Sequence, residues 1–386
     1  MDHGDTQRIG VPTRIALIDS ELAGLLLGMA QRALPRMYRP RSMQFVQTTR
    51  RDATRPGGLR PEGVSLRYAA IVALGAALLD VEQQRAMLAG STAARLAESV
   101  ARQAQDVADL GAVALAAWAA AEIGEVADPH LVERLIGAAR SDDPVATVDF
   151  AWTLTALVAA GRYRDVSDVV EQTATRLRLA QGATGVFPHA LPRHSLGRLR
   201  AHVGCFADQV YPIQALARHH AATGDPASLR AADRCAERIV HLQGPAGQWW
   251  WHYDVRTGDV VEGYPVYSVH QHAMAPMALF DLAEAGGTDH AAAITAGLSW
   301  LTDHPETSTS LLDETSGAIW RKVGRREPRK AMRSIRSVTT TASPRLRLGV
   351  LDRVFPPGVV DYECRPYELG WLLYAWLSDG GAGARP

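Results

Sequence analysis

Cysteine is scarce in this sequence. Three residues, Cys205, Cys235 and Cys364, are scattered through 386 positions, an odd number too far apart for a disulfide framework or a CxxC metal motif. Net charge is absent too, because Lys plus Arg and Asp plus Glu both total 41, which gives no global reason to expect nucleic-acid binding. No apolar run approaches the roughly 18 residues of a membrane span. The opening MDHGDTQRIGVP lacks the basic-then-apolar pattern of a secretory leader, so a cytoplasmic protein is expected. Aromatic residues are few, at 6%. Nucleophile-elbow, Walker and dinucleotide fingerprints are missing. No Pro/Ser-rich linker divides the chain, which reads as one domain over 15–380 between disordered tails at 1–14 and 381–386.

What the chain has is repetition. Alanine- and leucine-rich stretches begin near Leu66, Asp109, Thr147, Ala207, Ala273 and Arg365, each apolar around most of its circumference. Stretches with one charged face precede them, near Ile18, Gln84, His130, Val166, Ser228 and His290. The first kind suits a helix surrounded by protein, the second a helix facing solvent. Recurrence at roughly fifty residues signals hairpins that cannot bury their apolar faces alone. The expected fold is all-α: an (α/α)6 toroid of six inner and six outer helices, with a short β-hairpin at one end.

The links locate the site. Links from inner to outer helix are short, whereas 38–65, 182–206, 244–272 and 304–364 are long, and long loops in a compact domain are usually functional. All four emerge where inner helices begin, so chemistry is expected at that end. Three inner helices are entered by polar clusters: Asp208 and Tyr211 before Pro212; Tyr267, His270 and His272 before Pro276; Glu363 and Arg365 before Pro366 and Tyr367. Proline is tolerated in a first helical turn, so the helices are expected to start at these prolines.

The densest chemistry lies in Gln248–His272. Its alternation and the turn at Arg256–Asp259 read as a hairpin, with Trp249, Trp251 and Tyr253 on one face and Trp250, His252 and Asp254 on the other. Glu262 and Tyr264 follow. Between 321 and 347 stand ten Lys/Arg residues and one acid, Glu327, and the 182–206 loop adds His189, Arg193, His194, Arg198, Arg200 and His202. Two basic loops at one end of a neutral protein focus a positive field on an anionic substrate.

The expected acid/base pair for glycoside cleavage is Asp208 with Glu363, Asp254 and Glu262 being substitutes. For proton abstraction beside a uronate the expected groups are His252, Tyr253, Tyr267 and His270. Substrate contacts are expected from Arg67, Tyr68, Tyr211, Trp249, Trp250, Trp251, Tyr264, His272, Arg365 and Tyr367. No metal or cofactor is expected. A glycan or other anionic small molecule is the expected partner.

In helix count and decorated end the chain resembles the six-hairpin enzymes acting on glycans, which implies a hydrolase, uronate lyase or sugar epimerase. A second resemblance is to the squalene-cyclase and prenyltransferase toroid. Gln243-Gly-Pro-Ala-Gly247-Gln-Trp249 matches its Q-x3-G-x-W repeat core, and Gln181-Gly-Ala-Thr-Gly185-Val-Phe187 follows with Phe for Trp. That resemblance implies an isoprenoid cyclase or transferase, although the acidic Asp-x-Asp-Asp motif is missing. A third reading is a non-catalytic toroid that docks an acidic partner through the basic loop. The cavity wall discriminates: a cyclase needs a dry aromatic pocket, a glycan enzyme a polar cleft.

Overall fold

A computed structural model describes residues 14, 21–54, 58–327, 331–343 and 353–378. Both expected tails lie outside the described residues, apart from Arg14. Outer α1 (Glu21–Met37) leads to inner α2 (Leu66–Ala76). The second outer stretch is broken into α3 (Val81–Met87) and α4 (Ala93–Ala104), ahead of inner α5 (Leu110–Gly124). The expected single helix fails there because Ala89 and Gly90 take positive φ, which a helix cannot continue through. Then come α6 (Pro129–Arg140) and α7 (Thr147–Ala160), α8 (Ser167–Ala180) and α9 (Ala207–Thr223), and α10 (Pro226–His241) and α11 (Ala275–Glu284). Outer α12 (Ala291–Asp303), a lid helix α13 (Ala331–Ala342) and inner α14 (Pro366–Leu377) complete the chain.

Each inner helix packs on the next, and α14 returns to α2, closing the ring. Burial follows the two sequence textures. In α5 every residue from Gly111 to Ala121 is buried. In outer α4 the buried set Ala93, Leu96, Ala97, Val100, Ala104 marks one stripe. Four helix starts are capped by side chains, with Ser65, Asp109, Asp128 and Asp225 accepting first-turn N–H groups.

Two of the three prolines stand in a first helical turn as expected. Pro366 opens α14 and Pro276 is the second residue of α11, directly after a π turn at His270–Met274, whereas Pro212 lies inside α9. Proline gives no N–H to the carbonyl four residues back. At Pro276 that carbonyl belongs to His272, and the buried Trp376 Nε1 donates to it at 2.7 Å. The carbonyl that the proline leaves without an N–H is thereby satisfied by a side chain.

The glutamine–glycine turns staple neighbouring hairpins. Gln181 Nε2 donates to Gly185 O at 2.9 Å and to Ala231 O of α10 at 2.8 Å; Gln243 Nε2 repeats this with Gly247 O and Ala293 O of α12, both at 2.9 Å. Gly185 and Gly247 have φ of +92° and +90°. The long links form short antiparallel strands over the N-termini of the inner helices. Val203–Cys205, His252–Asp254 and Val260–Glu262 make one three-stranded sheet, and Thr48–Arg51 joins Leu59–Glu62 to Glu363–Cys364.

Candidate active site at the decorated mouth

The first turns of four inner helices carry acids toward the mouth: Asp109 caps α5, Asp149 lies in α7, Asp208 in α9 and Glu368 in α14. Arg67, from the first turn of α2, reaches two of them. Its Nε donates to Asp109 Oδ2 at 2.7 Å and its NH1 to Asp149 Oδ1 at 2.7 Å. Gly111 makes this possible, since a Cβ there would sit 2.4 Å from both Arg67 Cζ and Asp149 Oδ1. Arg67 also lies over the Trp152 ring, 5.5 Å from its centroid, and Trp152 meets Tyr211 edge-on at 4.8 Å.

The two acids are pushed apart in affinity for protons. Burial raises the Asp149 carboxyl above its ordinary value, outweighing Arg67, with Asp109 and Asp208 adding repulsion. Burial acts on Asp109 as well, but Arg67 and the N–H groups of Ala112 and Gly111 prevail and hold it below the usual range.

A second cluster surrounds Glu363. Burial opposes its charge, yet Arg365, Arg321 and Arg50 hold it low; Arg365 NH2 lies 2.9 Å and Arg50 NH2 2.5 Å from its oxygens. Glu368, by contrast, is pushed up to about 7 by burial despite Arg321 and Arg365. Its Oε2 accepts Arg365 N at 3.2 Å, a helix cap. Tyr68 stacks on Tyr367 with centroids 4.7 Å apart and accepts from Arg365 NH1 at 3.2 Å. Arg321 lies over Tyr267 at 5.0 Å.

On the α9 side, His189 Nδ1 lies 2.8 Å from Asp208 Oδ2, and that bond raises the imidazole above its ordinary value. Cys205 N donates to the same oxygen at 2.7 Å. His270 stacks between Phe206 at 4.4 Å and Tyr267 at 4.9 Å. The mouth thus gathers Arg67, Tyr68, Asp208, Tyr211, Tyr267, His270, Glu363, Arg365 and Tyr367 from the expected set. Asp208 and Glu363 nevertheless belong to separate clusters, one answering to His189 and the other to arginines.

The remaining expected residues are placed elsewhere. Trp249, Tyr253 and His272 are fully buried in the core. Trp250 donates Nε1 to Leu242 O at 2.8 Å and meets Tyr264 edge-on; the Tyr264 hydroxyl donates to Glu306 at 3.0 Å. Asp254 is buried against Arg256 at 2.7 Å, and Glu262 is buried between Arg325 and Arg336 at 3.1 and 3.2 Å. The expected alternation of faces breaks because the strand begins only at His252 and its register shifts at Tyr253. Trp251 consequently stacks on its neighbour His252 at 3.9 Å, with Arg333 of α13 over it at 5.5 Å. His252 faces a cavity of about 190 Å³ under α13, with Arg200, Val203 and Ser337.

Among the described residues of the basic stretch, four cations are paired with acids of the fold. Arg321 pairs with Glu368, Lys322 with Asp361, and Arg325 and Arg336 with Glu262. Arg329, Lys330, Arg345 and Arg347 lie outside the described residues. Asp109, Asp149 and Trp152 were not singled out from sequence, yet they carried a signal: an acid or ring within the first two turns of an inner helix, the repeat position of Asp208 and Tyr211.

No protein-family model matches the sequence, and no curated protein matches it. Solved structures do match by shape. An unsaturated glucuronyl hydrolase specific for heparin aligns with a TM-score of 0.58 and 13% identity, over 92% of this chain and 95% of that one. An unsaturated glucuronyl hydrolase responsible for glycosaminoglycan degradation, from a Bacillus species, gives 0.55 and 12% over 92% and 95%. A possible GH105 family member from Klebsiella pneumoniae gives 0.53 and 10% over 92% of each. The fold is the (α/α)6 toroid. At these identities the likeness is one of fold, and the chemistry rests on the residues of the mouth. Among the described residues no helix is long and apolar enough to cross a membrane.

Proposed function

We propose that the chain is a carbohydrate-active enzyme that hydrolyses a glycosidic bond in an acidic glycan at this mouth. The observation that carries the reading is the Asp109–Asp149 pair. Two carboxyl groups from adjoining inner helices meet one guanidinium, with proton affinities displaced in opposite directions. Glycoside cleavage needs such a division of roles: one carboxyl donates a proton to the leaving oxygen, the other remains charged to activate water or support the oxocarbenium-like transition state. Asp149 is assigned the first role and Asp109 the second. Trp152, Tyr211 and the Tyr68–Tyr367 stack offer ring faces for a sugar, and Arg365 and Arg321 offer charge for a carboxylate. The solved enzymes of like fold act on glucuronyl substrates by name, which agrees with an acidic sugar.

Elimination or epimerisation is favoured less, because burial raises the Tyr211, Tyr267 and Tyr367 phenols and keeps them protonated, so that none stands ready to take a proton. A mouth bearing Arg67, Arg321, Arg365 and five acids is also a poor container for a polyene cation, which weighs against the cyclase reading. Pairing of the basic stretch with internal acids weighs against a docking surface.

The test is turnover of uronate-containing oligosaccharides in deuterated water. New reducing ends are expected from the wild type, and Asp149→Asn and Asp109→Asn should each reduce turnover by about 100-fold or more while folding normally. Full turnover in both variants would remove the assignment; deuterium entering uncleaved sugar would make the protein an epimerase. If Asp208→Asn and Glu363→Gln were the inactive pair instead, the acid/base roles would move to them.

A further inference from the structure

His189, Cys205 and Asp208 bring one imidazole nitrogen, one thiol sulfur and one carboxylate oxygen within 4.8 Å of one another at the rim of the mouth. The backbone fixes all three. Thr147 N donates to His189 O at 3.1 Å, and Cys205 lies in the strand Val203–Cys205, paired to His252. Asp208 sits in the first turn of α9 with one oxygen held by Cys205 N. Its side chain is wholly buried, and its other oxygen, Oδ1, has no hydrogen-bond partner. A buried carboxylate oxygen without a partner is costly, and it points to a group that belongs there. His189 is 38% exposed at its side chain, which leaves one side of the trio open.

We propose that His189, Cys205 and Asp208 form a three-ligand site for a zinc-class divalent cation, with a fourth position open to the mouth. Thiol and imidazole favour zinc over magnesium or calcium, and three protein ligands with an open position is the arrangement of reactive rather than structural zinc. The fit is close. Bonds of about 2.0–2.3 Å in a tetrahedron separate ligand atoms by roughly 3.3–3.6 Å. The present 2.8 Å contact between His189 and Asp208 therefore opens by about half an ångström as the metal replaces the shared proton. A second trio, Glu171, His219 and Asp225, shows what disqualifies a site: Arg178 already pairs with both of its carboxylates. No arginine or lysine pairs with Asp208 among the described residues. The bound cation would act as a Lewis acid or water activator.

The test needs no substrate, so it stands apart from the hydrolase reading. The full chain is freed of metal with a chelator and titrated with zinc under reducing conditions, then with cobalt as a spectroscopic probe. One metal per chain is expected, with a thiolate-to-cobalt absorption band that vanishes in Cys205→Ser. His189→Ala and Asp208→Asn should each weaken binding by at least tenfold, with unfolding curves recorded to confirm that each variant folds. Should Asp208→Asn fail to fold, the Cys205→Ser band and the His189→Ala affinity decide alone. No binding by the wild type, or binding that persists in both Cys205→Ser and His189→Ala, overturns the site.

Discussion

At the scale of single residues, burial decides what the histidines of the fifth inner helix can do. His270 and His272 read from sequence as a proton shuttle and a substrate contact. The fold encloses both, and desolvation presses each down to about 3, His270 also feeling Arg321. Both are therefore neutral in the fold at any pH above that value, whereas in an unfolded chain they titrate near 6.5. The sign follows from proton counting. Between about 6.5 and 3 the unfolded state binds protons that the fold excludes, so stability falls as the solution is acidified through that window. The slope reaches about 1.4 kcal/mol per pH unit for each group. Urea midpoints measured from pH 7 to pH 4.5 in the wild type and in His272→Phe isolate this one imidazole: on acidification the variant should lose less stability than the wild type, by up to about 1.4 kcal/mol per pH unit. An unchanged slope in that variant would show that His272 is protonated in the fold.

At the scale of elements, the sequence was clear wherever a pattern repeats and opaque wherever side chains meet across repeats. The inner helices were legible because a helix buried on all sides must be apolar on all sides, and the outer ones because a single face is wet. The long links lie over the N-termini of the inner helices, the end at which loops let polar groups converge on solvent. Asp109 and Asp149 escaped notice because each looks like an ordinary cap or first-turn acid, and only the fold shows Arg67 joining them. The tryptophan run misled in the other direction. Strand alternation over Gln248–Asp254 would set Trp249 beside Trp251, but Trp249 is held in the core, its backbone N–H donated to Gln271 Oε1 at 3.2 Å. That placement depends on the turn before it. A Cβ on Gly247 would lie 1.9 Å from Ala296 O, at a φ that disfavours L side chains. Gly247→Ala is therefore expected to cost about 3 kcal/mol, read as a lowered urea midpoint. A variant as stable as the wild type would show that the turn and α12 separate freely.

At the scale of the whole molecule, a toroid depends on the seam where its first and last inner helices meet. Here α2 and α14 approach closely through two glycines. A Cβ on Gly75 would stand 2.3 Å from Gly370 O, and one on Gly370 would stand 3.0 Å from Val72 Cα. Helix propensity alone would favour alanine at Gly75 by about 1 kcal/mol. The clash is with a backbone carbonyl, which cannot swing aside as a flexible side chain would, so the steric term should win. Gly75→Ala is expected to destabilise by about 2–4 kcal/mol, and to disturb Arg67 and Tyr68 at the other end of the same helix. Gly137 supplies the matched control: it too lies inside a helix, outer α6, but a Cβ there meets nothing within 4 Å. Gly137→Ala should therefore stabilise by about 1 kcal/mol. The two substitutions are chemically identical, so opposite signs in one set of thermal or urea unfolding curves would isolate the seam as the cause. Equal shifts of the same sign would mean that the ring closes by something other than the contact of these two helices.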